Sequence, residues 1–151
     1  MYISVYEPSH TTMLLITAGK ISEAEWQAMY DDSLRLMAES ARTKQEMIMV
    51  TLTQPDTERP NANWRRKLAE LRNHSTGVQS LSVIVTSSIL ISGVITAINW
   101  ITPANSKEKL VAKSSFEEAH AWLVQETKRP LEHLIAMHKT ALSRLQKQQS
   151  G

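Results

Sequence analysis

Five histidines are the residues best suited to acid–base or metal chemistry in this chain of 151 residues, and their spacing suits neither. His10, His74, His120, His133 and His138 are scattered along the sequence. Only His133 and His138 share a helical stretch. Five positions apart, they turn to different faces, whereas a metal-binding pair on one helix needs an i, i+4 spacing. There is no cysteine, which removes disulfides, thiolate catalysis and Cys-type zinc sites. The sequence holds no G-x-S-x-G elbow, Gly-rich phosphate loop or paired-carboxylate motif, and its four glycines are too few to cradle a nucleotide. These observations predict a protein that is not an enzyme and that carries no cofactor and no metal.

Recognition chemistry is better represented. Arg59, Arg65, Arg66, Lys67 and Arg72 gather around Trp64, a composition that could contact RNA. A single tryptophan is too little aromatic surface for a stacking platform, so the charged outer face of an amphipathic helix is the better reading. A net charge of +2 does not by itself call for a nucleic-acid partner. The C-terminal segment is the most basic part of the chain, with Lys128, Arg129, Lys139, Arg144 and Lys147 against Glu132 alone. That is too few for strong attachment to an anionic membrane surface.

The sharper candidates are apolar. At about 100° per residue, a helix over Ile89–Ile101 places Leu90, Val94, Ala97, Ile98 and Ile101 on one side, facing a sheet. Ile89, Gly93, Thr96 and Trp100 fall opposite. A tryptophan and an isoleucine around a small residue are what a docking surface needs, because aromatic anchors dominate interface energies. The competing reading is that Trp100 is ordinary core. On the last helix, Leu134, His138 and Leu142 form a second candidate surface, for a partner protein or a second copy, with packing onto its own domain as the alternative.

Positioning these residues depends on 81–101, inside the run 73–106 that contains no Asp, Glu, Lys or Arg. Its length is near the roughly 20 apolar residues that cross a bilayer. Eight of its residues are Ser, Thr, Asn or Gly, and its N-terminal flank lacks the interfacial aromatic and basic anchors of a spanning helix. A buried strand over 81–86 followed by a helix over Ile89–Ile101 fits better. Val83, Ile84 and Val85 are β-branched, and Ser87 and Ser88 are natural helix N-caps.

Tyr2–Glu7 and Thr12–Thr17 read as a hairpin. Ser22 with Glu25 is a capping box. It opens a helix with Trp26, Met29, Tyr30, Leu34, Met37 and Ala41 along one face. The segment 47–52 is a central strand, and a loop with two prolines follows it. A helix over 63–73, the 81–86 strand, the Ile89–Ile101 helix and a short strand at 109–113 come next. Ser115 with Glu118 opens another helix. Pro130 opens the last one, with Leu131, Leu134, Ile135, His138, Leu142 and Leu145 apolar. The expected fold is α/β, a mixed and mostly parallel five-stranded sheet in β-β-α-β-α-β-α-β-α order with an extra C-terminal helix. Residues 1–127 would be the domain and 128–151 a basic amphipathic helix and tail. The first residues lack the basic start and apolar core of a signal peptide, so a cytoplasmic location is expected.

This order resembles the STAS domain of bacterial anti-sigma-factor antagonists, in particular the divergent STAS-like group that is also similar to lipid-binding Sec14-type domains. The residues carrying the resemblance are Gly19-Lys20-Ile21-Ser22 leading into the Trp26 helix, the 81–85 strand with its apolar helix, and Phe116-Glu117-Glu118-Ala119 with Ala121-Trp122-Leu123. It implies a regulatory or scaffold module that binds another protein or its own copy. It also implies an alternative, a carrier or sensor of an apolar lipid in a cavity beside 81–101. STAS domains carry a switch Ser or Thr after the third strand, often in an Asp-Ser-Ser-Gly context. No such motif is present here. Thr57, after Asp56, stands nearest to that position and Thr53 second. Phosphate there would meet free helix amides; the plain alternative is a solvated loop residue.

Overall fold

In the computed structural model the described residues are 1–71, 77–101 and 107–151, and the side chains at 94 and 97–101 fall outside that description. The alternating and β-branched runs become five strands: β1 (Tyr2–Glu7), β2 (Thr12–Thr17), β3 (Met47–Thr53), β4 (Ser80–Val85) and β5 (Glu108–Lys113). They lie in one sheet in chain order. β1 runs antiparallel to β2, with Tyr2 opposite Thr17. The other neighbours are parallel. The expected fold class is therefore the one observed.

Among the described residues five α-helices cover the sheet: α1 (Glu23–Thr43), α2 (Ala62–Glu70), α3 (Ile89–Ile101), α4 (Phe116–Thr127) and α5 (Glu132–Ser150). Each parallel crossover from β2 to β5 steps one strand in the same direction. Right-handed crossovers then put α1, α2 and α3 on one face. α4 and α5 return across the other, α4 over β4 and β5 and α5 over β1 and β2.

Strand alternation feeds two cores. Leu14 and Ile16 of β2, Ile48, Val50 and Leu52 of β3, and Leu81 and Val83 of β4 pack with Phe116, Ala119 and Leu123 of α4 and with Leu131, Leu134, Met137, Ala141 and Leu145. Met13, Leu15 and Met47 point the other way, against Trp26, Met29 and Leu36 of α1 and Trp64 of α2. α5 thus supplies side chains to the larger core. Residues 128–151, expected as a separate helix and tail, thus contribute α5 to the packing over β1 and β2.

Local signals account for the boundaries. The Ser22 hydroxyl accepts from the Glu25 amide at 3.1 Å and the Ser115 hydroxyl from the Glu118 amide at 3.2 Å, so both capping serines act as expected. Gly77 has φ +72, a left-handed conformation open to glycine, where the chain turns toward β4. The buried stripe of α1 differs from the expected one: it runs through Trp26, Met29, Ser33, Leu36 and Ser40. The two serines can enter a core because their hydroxyls are satisfied by carbonyls, Ser33 by Met29 at 2.8 Å and Ser40 by Gln45 at 2.5 Å. α5 is rotated in the same sense, with Met137 and Ala141 inward and Ile135 and Leu142 outward. Arg72, His74 and the expected loop at 103–105 lie outside the described residues. No helix among the described residues is long and apolar enough to cross a membrane.

Candidate interaction surface

α3 begins at a compact polar turn. The Ser88 hydroxyl accepts from the Ile91 amide at 3.2 Å, and the Ser88 amide donates to the Thr86 hydroxyl at 3.1 Å. Ser88 is therefore the N-cap, one of the two serines expected there. Ile95 is buried and Ile91 half-buried, and these two define the inward side. Ile89 is 90% exposed and Leu90 61% exposed. Gly93 and Thr96 are also exposed.

Three of the four residues expected on the outer face, Ile89, Gly93 and Thr96, are thus at the surface on one side of the helix. Leu90, expected against the sheet, is corrected to the surface: the inward stripe passes through Ile91 and Ile95, and Leu90 lies about 100° away from Ile91. The side chain of Trp100, the expected anchor, lies outside the described residues. A Cβ added at Gly93 would meet nothing within 4 Å, so the position stands in open space. The Thr96 hydroxyl donates to the Ser92 carbonyl at 2.9 Å and asks for no partner. The surface is therefore apolar, uncharged and satisfied in its hydrogen bonds. Through these described residues it can bind by excluding water.

The sheet beneath α3 is formed by β4 and β5. Leu81, Val83 and Val111 point toward α4 and α5. Ser82, Ile84, Leu110 and Ala112 occupy the opposite face and remain half-buried.

The second expected surface separates into three fates. Leu134 is fully buried among the side chains under α5, so it is core and belongs to no surface of this fold. His138 is half-buried, its ring 3.8 Å from that of Phe116 at 18°, and burial lowers its pKa below the usual histidine value. Leu142 is 38% exposed, near Ile135 on the outer side. This patch lies on the opposite face of the sheet from α3, so the two expected sets cannot form one continuous surface.

Of the two hydroxyls expected after β3, that of Thr57 is already engaged. Thr57 Oγ1 donates to the Thr17 carbonyl at 2.8 Å, holding the loop to the end of β2. α2 is capped further on, by Asn61 Oδ1 accepting from the Trp64 amide at 2.9 Å. Thr53 ends β3 in register with Thr17 and is half-buried. Phosphate on Thr57 would displace its bond to Thr17 and would sit before the helix start.

Trp64 is 2% exposed and stacks with Trp26, and its indole N–H donates to a Glu23 carboxylate oxygen at 2.9 Å. Lys67 lies over the same ring, 4.5 Å from its centroid. The tryptophan in the basic cluster is thus a core residue and offers no face to a base.

A pocket of about 550 Å³ opens at the other end of the strands, lined by Ser9, His10, Thr11, Gln45, Glu46, Thr127 and Arg129. The side chains that line it are polar or charged, with Arg129 paired to Glu46 at 3.2 Å, and it lies away from 81–101, where the apolar cavity was expected. No group of three or more potential metal ligands occurs among the described residues.

No family model, curated protein or solved structure matches this chain.

Proposed function

We propose that this protein is a non-catalytic interaction module that associates with a second copy of itself through the exposed face of α3, in the manner of a STAS-type scaffold or regulator working in the cytoplasm. The observation that carries the reading is the pair Ile89 and Leu90, 90% and 61% exposed at the start of an uncharged helix. Such a pair is costly to leave in water at roughly 25 cal/mol per Å² of apolar surface, and a partner would remove that cost. A second copy suits the patch because a two-fold contact brings the same residues together, and an uncharged patch meets itself without repulsion.

On the β1 edge, Arg144 of α5 donates to the Ser4 carbonyl at 2.9 Å and so occupies one acceptor that strand pairing would use. The likeness to STAS domains rests on element order and on the segments around Trp26 and Phe116. A role in regulation by phosphorylation would have to release Thr57 from Thr17 first.

Co-expression of a tagged and an untagged copy tests the reading. The untagged copy should be retained with the tagged one, and Ile89→Asp with Leu90→Asp in both copies should abolish retention. Retention that survives the double substitution would place the contact elsewhere.

A further inference from the structure

We infer that the stacked imidazoles of His10 and His133 form an acid-sensitive clasp that holds the first turn of α5 against the β1–β2 corner.

That turn needs holding. Leu131, the N-cap of α5, has φ 51 and makes no side-chain capping bond, and Lys128 just before it has φ 56. Two non-glycine residues in the left-handed region, with Pro130 between them, make a strained connection. Three contacts oppose the strain. Leu131 is 3% exposed in the core. His120 Nε2 donates to the Pro130 carbonyl at 3.1 Å. The His133 ring lies on the His10 ring, centroids 4.0 Å apart and planes 9° apart.

Hydrogen bonding fixes the protons of the stack. Thr12 gives its hydroxyl proton to the His10 carbonyl at 2.9 Å, so at 3.0 Å it can only accept from His133 Nε2. Ser9 gives its proton to Glu7 at 2.7 Å, so its oxygen accepts from His10 Nδ1 at 3.2 Å. Each neutral ring therefore already uses its one N–H. A further proton on each would place two parallel cations 4.0 Å apart.

The surroundings on balance oppose a charge on His133: besides His10, Arg129 from the α4–α5 connection, bound to Glu46, and His120 from α4 disfavour it, while Glu7 at the end of β1 favours it. β2 contributes only the uncharged Thr12. Burial, then His10 and Arg129, push His133 down to about 4. An opened clasp returns the ring to an ordinary histidine value near 6.5. The closed form is thus fully favoured above about 6.5 and loses its advantage as pH falls from there toward 4.

Amide exchange on the full chain at pH 7.5 and 5.0, corrected for intrinsic rates, tests the clasp. Residues 131–138 should lose about tenfold more protection than α1, the effect of a single pKa unit, with the rest discounted for the ring's solvent contact. His133→Gln keeps an N–H toward Thr12 and cannot take a proton, so it should remove the pH difference. His138→Gln, on the same helix, should leave it in place. A proton NMR titration of wild-type His133 decides the matter if the glutamine variant does not fold. A midpoint well below 6.5 supports the clasp. A midpoint at 6.5, or equal loss of protection in α1 and α5, would overturn it.

Discussion

The two ends of the sheet are covered very differently. Over β1 and β2, α5 buries Leu134 and Ala141 completely and Met137 to 4% exposure, and it ties the outer strand through Arg144. Over β5, α3 is more apolar than α5, yet it leaves Ile89 and Leu90 in solvent. Composition alone would have ranked them the other way. The difference lies in what each helix finds below it. α5 meets Leu14 and Ile16, whereas the sheet face under α3 offers Ser82 and Ala112 beside Ile84 and Leu110. A helix buries its apolar residues only as far as the opposing surface gives them something to pack against.

Removing residues 128–151 should break this contrast most severely. It strips Leu131, Leu134, Met137, Ala141 and Leu145 from the larger core. At about 1.5–3 kcal/mol for each fully buried large side chain, the loss rivals the whole stability of a typical domain, roughly 5–15 kcal/mol. The truncated chain is expected to aggregate on expression, and a monodisperse, cooperatively melting 1–127 would refute the packing described for α5.

Leu134→Ala is the next largest effect. A fully buried leucine should cost about 2–5 kcal/mol in urea unfolding, with the spread set by how far the site collapses. A cost below about 0.5 kcal/mol would mean that α5 is not seated as described.

Ile89→Asp with Leu90→Asp should sharpen the contrast from the other side. Both residues are exposed and stand in the first turn of α3, where a carboxylate meets free amides and the positive end of the helix. Unfolding stability should change by no more than about 0.5 kcal/mol, while association is lost. A large loss of stability would show these residues to be core.

Gly93→Ala gives the smallest effect and the finest probe. Open space around the position permits the methyl, and helix propensity favours it by up to about 1 kcal/mol. The variant should melt slightly higher and self-associate more weakly, because a methyl is added within the contact face.

Much of the fold was legible beforehand. Strand runs, capping serines and the alternation of elements placed every strand to within a residue or so, since these signals are local. Helix faces were harder to read. Ser33 and Ser40 are buried because hydroxyls can bond to nearby carbonyls, so polarity misled the assignment of α1. For α5, Leu134 and Leu142 look alike in sequence, and only the position of β1 and β2 distinguishes core from surface. The exposure of Ile89 could be read from helical spacing. The exposure of Leu90 follows from the inward turn of Ile91 and Ile95, which no local pattern reports. The His10–His133 stack joins residues far apart in the chain, and their spacing carried no signal.

The most direct test of the central claim is light scattering coupled to size exclusion, on the full chain and on the Ile89→Asp, Leu90→Asp variant over a range of concentrations. A wild-type dimer and a folded monomeric variant are the expected results. A wild-type chain that stays monomeric at every concentration, or a variant that remains a dimer, would contradict self-association through α3.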